Sequence, residues 1–235
     1  MGLLNIGNNA KTIKGDIKGE YLSAILYLSP STTSGYDVCP SATEGCKTSC
    51  LFTAGRGKMH SVHDARVNKT KMFFENREMF RATLLKEFAQ FSKKCNKLNV
   101  KPAVRLNGTS DLNWHDMFPE LFSDFPQFKF YDYTKSQKIM EKYINNECPS
   151  NYHLTFSRSE FNFDFCLKVL NNGHNVAIVF ESIPLRYKGF TVFVGDDTDL
   201  RFLDPKGVVI GLKAKGKAKK DKSGFVIKPN EMEND

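Results

Sequence analysis

The chain has 235 residues, of which 40% are hydrophobic and 20 are phenylalanine. This length suits one large domain or two small ones, with a sizeable core. Nowhere do about 18 apolar residues run together, which excludes a membrane-spanning helix. The first nine residues have neither the basic nor the apolar region of a signal peptide. The sequence therefore predicts a soluble, cytoplasmic protein without a membrane partner.

The net charge of +8 at pH 7 comes largely from one short tract. Residues 213–222 contain six lysines and one aspartate, interspersed with glycine and alanine. Such a tract offers little to a core, so we expect residues 213–235 to be a mobile, solvated strip or tail beside a single domain of residues 1–212. Two roles are open for it: a solubility tail or exposed hairpin, and a weak, salt-sensitive, nonspecific contact with nucleic acid.

The predicted elements alternate between strands and helices. The first is a buried apolar strand at 21–30, which ends at a proline and a Ser/Thr/Gly loop. A long helical region at 61–95 follows, and because its length exceeds the width of a domain we expect a break near Asn76. The later strands are predicted at 103–107, 128–134, 152–157, 175–181 and 190–194, and the later helices at 117–125, 136–145 and 160–172.

This alternation indicates parallel strand pairing with right-handed crossovers. We predict an α/β fold, a TIM-like (β/α) barrel that is complete or partial, with an open doubly wound sheet as the alternative. Alternate residues of a barrel strand face the axis, and here those positions are polar. They indicate either a ligand-bearing interior or a network of paired buried polar groups. The positions are Arg105, Asn107, His153, Thr155 and Ser157, with Asp132 and Glu181 as additions.

The strongest local signal is a loop of cysteines directly after the first strand. Cys39, Cys46 and Cys50 are spaced C-x6-C-x3-C around a glycine, and the carboxyl end of a strand is where α/β proteins build their sites. Three thiolates in one loop can bind a soft metal centre, whereas disulfides are disfavoured in a reducing compartment. We interpret the other three cysteines as small buried hydrophobic residues: Cys95, Cys148 and Cys166.

A [4Fe–4S] iron–sulfur cluster is the favoured occupant of this loop. Three cysteines leave one ligand position open, as in a cubane cluster with one accessible iron. Zinc is the alternative, because a structural zinc site needs four ligands and His60 or His63 could supply the fourth from the start of the next helix.

Polar and cationic residues gather around the same predicted edge. Residues 54–58 form a glycine-rich turn whose amides, with Arg56 and Lys58, could hold a carboxylate or phosphate. Polar segments follow three successive strands, at 107–111, 133–136 and 157–159, and indicate a shared pocket, although the first could equally be a helix-capping turn. We predict a small anionic ligand or substrate, with no catalytic residue assigned. Its predicted contacts are Arg56, Arg105, Asn107, Lys135 and Ser157.

These motifs resemble those of a family of small bacteriophage proteins, the gene-product-88-like family. The resemblance covers roughly residues 20–182 and implies a viral origin, a location in the host cytoplasm and an iron–sulfur site, but no particular reaction. The layout is also loosely similar to that of radical S-adenosylmethionine barrels, which place three cysteines after the first strand at C-x3-C-x2-C. The matching motifs are the cysteine loop with Gly55-Arg56-Gly57, Val104-Arg105-Leu106-Asn107 with Asp111, and residues 131–135 and 151–157.

Functions of different classes follow from the sequence. The first is a redox or radical-type enzyme built on the iron–sulfur cluster. The second is a zinc-stabilised protein that binds nucleic acid through the lysine tract and residues 55–58. A third is a protein that binds a host partner and uses its metal only for stability.

Overall fold

The computed structural model describes residues 2–7, 19–50, 52 and 55–229. Its strands are β1 (Leu4–Ile6), β2 (Tyr21–Leu26), β3 (Lys101–Arg105), β4 (Lys129–Thr134), β5 (Tyr152–Ser157), β6 (Val176–Phe180), β7 (Arg186–Tyr187), β8 (Phe190–Val194) and β9 (Val209–Lys213). Its α-helices are α1 (Glu44–Thr48), α2 (His60–Glu75), α3 (Arg77–Leu98), α4 (Trp114–Met117), α5 (Glu120–Ser123), α6 (Gln137–Ile144) and α7 (Phe163–Asn171). Short 3-10 helices occupy Gly55–Lys58, Arg201–Leu203 and Gly216–Lys220.

The described strands form one sheet in the order β1-β2-β3-β4-β5-β6-β9-β8-β7. From β2 to β6, neighbours in the sheet are also neighbours along the chain and pair in parallel, as predicted. The sheet is open, however, so the TIM-like barrel is not confirmed. Antiparallel β1 occupies the edge of β2 that a closing strand would need. After β6 the chain forms the antiparallel β7–β8 hairpin instead of another helix and strand.

The helices pack on one face of this sheet, where the main hydrophobic core lies. The break predicted near Asn76 is present, because this residue ends α2 and its side chain accepts the amide of Met79 to cap α3. Cys166 of α7 is fully buried, as predicted for a small hydrophobe. A stripe of buried residues at helical spacing fixes α3 on the sheet: Phe80, Leu84, Phe88, Phe91 and Cys95.

The opposite face carries polar positions that the sequence assigned to a barrel axis. The segment at 196–204 covers part of this face, where Phe202 packs edge-on against Tyr131 at 5.7 Å between ring centres. Arg105 forms a 2.7 Å ion pair with Asp199 of the covering segment, and only 14% of its side chain is exposed. The structure thus engages Arg105 in a buried polar network, which was the alternative to a ligand contact.

Two of the additional axis positions lie elsewhere. Asp132 pairs with Leu154 in the sheet register, so it shares the helix-covered face with that residue. There it accepts hydrogen bonds from the amide of Asn107 and the hydroxyl of Tyr152. Glu181 follows the end of β6 and is exposed to solvent. The axis prediction is wrong for both acids, because neither occupies an inward position of a strand.

The lysine tract is folded rather than mobile. Lys213 ends β9, and a 3-10 helix follows at 216–220. Ala214 and Ala218 are buried in a small cluster with Phe225. The backbone of the tract therefore packs on the domain through the alanines between the lysines, while the lysine side chains are exposed to solvent as expected. The tail at 230–235 lies outside the described residues. Among the residues that are described, no helix is both long and apolar enough to cross a membrane.

Candidate metal centre

The carboxylate of Glu160, which follows β5, accepts two hydrogen bonds from the cysteine loop. Thr43, the N-cap of α1, donates its hydroxyl to Glu160 at 2.6 Å, and the amide of Gly45 donates to the other carboxylate oxygen at 2.8 Å. A Cβ at position 45 would lie 2.2 Å from that oxygen, so any larger residue there would displace the Glu160 carboxylate. Since Glu160 follows β5, it joins the loop after β2 to the end of a strand three places away.

The thiols of this loop share one electrostatic environment. Burial raises the pKa of Cys39 to about 12, and the charges of Asp111, Cys50 and Cys46 add to the effect. Burial also raises the pKa of Cys50, with Cys46 again contributing. Cys39 and Cys50 are therefore protonated at neutral pH, and the three thiols lie near enough to influence one another.

The thiols are nevertheless not preassembled around a single point. In the part of the chain that the structure describes, no group of three or more His, Cys, Asp or Glu side chains is arranged to hold a metal ion. A metal centre here would require the loop to close further and the thiols to lose their protons. Both changes are usual when metal binding is coupled to folding of the site.

A half-buried cation that the sequence analysis missed lies within electrostatic range of Cys50. The guanidinium of Arg66, on α2, stands 5.0 Å from the centre of the Tyr27 ring. Its Nε and Nη1 atoms are shielded from solvent and have no hydrogen-bond partner. Burial lowers the pKa of Arg66, and the charges of Tyr27 and Cys50 oppose that shift. A sequence signal existed, because Arg66 precedes buried Thr70 and Phe73 at the i+4 and i+7 spacing of a core-facing stripe.

Two predicted ligand contacts are brought to the cysteine loop. The ammonium of Lys135 donates to the hydroxyl of Ser157 at 3.0 Å. Its positive charge also acts on Cys50, where it opposes the raising of the thiol pKa by burial. Lys135 follows β4 and Ser157 ends β5, so the predicted gathering of polar strand ends occurs for this pair.

Asn107 is used differently from the prediction. Its side-chain oxygen accepts hydrogen bonds from the hydroxyl of Ser110, the amide of Leu112 and the indole of Trp114. Its side-chain amide donates to the carbonyl of Leu112. These bonds shape the turn after β3, in line with the turn interpretation of this segment, and they occupy the groups that a ligand would contact.

The remaining predicted residues give no support to a zinc site. His60 is exposed and His63 is half-buried at the start of α2, and neither belongs to a described group able to hold a metal. Ring atom Nδ1 of His63 lies 3.5 Å from its neighbour Asp64. The side chains of Arg56 and Lys58 lie outside the described residues.

Asp111 links the turn after β3 to the cysteine loop. Its amide donates to the carbonyl of Val38 at 2.8 Å, directly before Cys39. One carboxylate oxygen accepts the amide of Lys135 at 2.8 Å, while the other is shielded from solvent and has no hydrogen-bond partner. Burial raises the pKa of this carboxyl. A carboxylate oxygen that is free to bind a metal therefore lies within electrostatic range of the half-buried thiol of Cys39.

The open, mostly parallel sheet and the cysteine loop after β2 define an α/β protein with a candidate soft-metal site at its strand ends. The chain belongs to the Gene product 88 family, a family of bacteriophage proteins, which it matches over residues 2–229. The resemblance in the motifs is thereby confirmed over nearly the whole chain, and the protein is viral. The looser similarity to radical S-adenosylmethionine barrels is not supported. No curated protein and no solved structure matches the chain.

Proposed function

We propose that this phage protein binds an iron–sulfur cluster through Cys39, Cys46 and Cys50 and uses it for redox chemistry on a small anionic ligand. The observation that carries the proposal is the half-buried guanidinium of Arg66, whose Nε and Nη1 atoms are shielded without a hydrogen-bond partner and whose charge acts on Cys50. A buried polar group without a partner costs about 1–3 kcal/mol, and more when it is charged. An anion at the cysteine loop would offset this cost.

A cluster held by three thiolates fits that requirement. Thiolates are the ligands that iron–sulfur clusters use, and burial and neighbouring charges set the cluster's reduction potential. When bound, such a cluster supplies one-electron transfer. The chain's own contribution is positive charge from Arg66 and Lys135, both of which act on Cys50, and partial burial of the three cysteines.

Asp111 is the best-placed donor for the fourth ligand position. Its charge acts on Cys39, and one of its carboxylate oxygens has no hydrogen-bond partner. The hydrogen bond from its amide to Val38 keeps it beside the loop. His60 and His63, the residues considered for zinc, have no comparable contact. A carboxylate ligand is also a weaker donor to iron than a thiolate, so a ligand or substrate could displace it.

Lys135 and Ser157 support binding of the anionic ligand. The Nζ atom of Lys135 and the Oγ atom of Ser157 lie 3.0 Å apart at the ends of neighbouring strands β4 and β5. An ammonium and a hydroxyl together can hold a carboxylate or phosphate oxygen. Arg105 and Asn107 are not part of this proposed ligand site, because their side chains bind other groups of the protein: Arg105 pairs with Asp199, and Asn107 accepts the indole of Trp114.

The decisive test is the metal and acid-labile sulfide content of protein purified without oxygen, with an absorbance spectrum before and after exposure to air. We expect about four irons and four sulfides per chain. Cys46→Ser should lose most of both. Cys148→Ser is the matched control, because Cys148 is also half-buried but precedes β5 at the opposite edge of the sheet.

Circular dichroism confirms that both variants are folded before their metal content is compared. Wild-type protein with neither iron nor sulfide contradicts the proposal. One zinc ion per chain without sulfide also contradicts the proposal and would indicate a structural zinc site instead.

A further inference from the structure

The lysine tract presents its charges on an ordered backbone. A 3-10 helix has three residues per turn, so residues three apart share a row along its surface. In the helix at 216–220, Ala218 is buried, while Lys217 and Lys220 form one exposed row and Lys219 lies in another. The alternation of lysine with alanine, which looked like low-complexity sequence, thus separates an inward side from two charged outward sides.

The inward side is anchored beside the cysteine loop. Ala214 and Ala218 pack with Phe225 and Val226, and Cys46 and Val179 lie against the same cluster. Arg158 donates to the carbonyls of Gly224 and Phe225, which holds the segment after the helix against the end of β5. The lysines are therefore carried on a fixed surface next to the strand ends.

The carboxylate of the one acid within the tract is bonded to groups other than these lysines. The carboxylate of Asp221 accepts hydrogen bonds from Ser223, from the amide of Val226 at 3.0 Å and from Ser49 of the cysteine loop at 3.4 Å. Asp196, nearby, forms its ion pair with Lys215 at 2.6 Å. Five exposed lysines of the tract form no ion pair with a described acidic side chain: Lys213, Lys217, Lys219, Lys220 and Lys222.

We propose that this lysine surface binds the phosphate backbone of nucleic acid, independently of base sequence. Lysine is a point charge suited to phosphate oxygens, and residues 213–222 contain no arginine, asparagine or glutamine, the side chains that form planar two-bond contacts with base edges. No aromatic side chain is exposed among residues 213–222, so base stacking has no platform. With neither base reading nor base stacking favoured, we expect this surface to bind the phosphate groups of the backbone. This inference does not depend on the metal proposed above.

The test is fluorescence anisotropy with short labelled duplex DNA, duplex RNA and single-stranded DNA of mixed sequence, across a series of salt concentrations. We expect binding at low salt that weakens steeply, with a logarithmic slope of about −3 to −5 if three to five phosphates are contacted. The order of affinity among the three probes identifies the preferred nucleic acid.

The charge-reversed variant Lys217→Glu, Lys219→Glu, Lys220→Glu should bind at least about tenfold more weakly, with a slope shallower by about three. The control reverses Lys93, Lys94 and Lys97, three exposed lysines of α3 without a described ion pair, and changes the net charge equally. Equal loss in both variants, or no binding at low salt, overturns the proposal. Tighter binding to anionic phospholipid vesicles than to any nucleic acid also overturns it.

Discussion

Arg105 and Asp199 form a 2.7 Å ion pair that joins β3 to the segment covering the opposite face of the sheet. Replacing Asp199 by Asn would leave the guanidinium buried without its counter-charge. We expect the free energy of unfolding to fall by about 3–5 kcal/mol, measured by urea denaturation. The control is Glu20→Gln, which breaks the exposed 2.8 Å pair of Glu20 with Lys101 and should cost less than about 1 kcal/mol.

The Asp199→Asn variant also distinguishes a structural role of Arg105 from a role in the metal site. Where the Asp199→Asn protein is folded, its iron content should equal that of the wild type. A selective loss of iron from folded protein would instead place Arg105 in the site.

Asp111 gives the sharpest test of the fourth ligand. Asp111→Asn keeps an acceptor for the amide of Lys135 but binds iron poorly, so we expect a large fraction of three-iron clusters, detected by electron paramagnetic resonance of the oxidised protein. Asp111→Cys should restore four irons. The control Asp116→Asn alters an acid that is paired with Lys142 at 2.5 Å, away from the cysteines.

An Asp111→Asn spectrum identical to that of the wild type would exclude Asp111 as a ligand. It would leave the three-cysteine proposal intact, because that proposal is decided by the iron and sulfide content of the wild-type protein.

Arg66→Met tests separately how Arg66 acts on the stability of the metal-free protein and on the reduction potential of the bound cluster. Removing this half-buried charge relieves its desolvation cost but gives up its contact with the Tyr27 ring, so the metal-free variant should be about as stable as the wild type. The reduction potential of the cluster should become more negative, because less positive charge remains to stabilise the reduced form. Arg186→Met, at an exposed hairpin position, should change neither. An unchanged or raised potential in Arg66→Met would remove Arg66 from the site.

Asp132 should make stability depend on pH. Burial raises its pKa to about 7, whereas an unfolded carboxyl titrates near 3.9. The folded state therefore holds the proton more tightly, and stability is lost as the pH rises from about 4 to about 7. Asp132→Asn retains an acceptor for the amide of Asn107. It should equal the wild type below about pH 4 and exceed it by up to about 4 kcal/mol above about pH 7.

Urea unfolding of the two proteins across this range measures the difference. A difference that stays constant with pH would show that Asp132 does not change protonation between the folded and unfolded states.

Local sequence patterns were sufficient for the repeated strand–helix units. The break at Asn76 followed from helix length and a capping residue, and strands β3 to β6 followed from short apolar runs between turns. Closure of the sheet could not be predicted in the same way. It depends on β1, whose three residues carry no periodic signal, and on pairing between segments distant in the sequence.

The candidate site was predictable only in part. The three cysteines, Lys135 and Ser157 are marked by residue type and by their position after strands. Arg66 carries no motif, and its spacing from buried Thr70 is the one sequence feature that places it on the inner side of its helix. Folding of the lysine tract depends on burial of Ala214 and Ala218, and composition alone does not reveal such packing.

The contact between Cys46 and the cluster around Ala218 joins an early part of the chain to a late one. During synthesis, the cysteine loop leaves the ribosome long before residues 214–226 exist. Until those residues fold, Cys46 lacks part of its cover and is accessible to oxidants and to competing zinc. A chain that ends before residue 214 would therefore carry the three cysteines without this contact at Cys46.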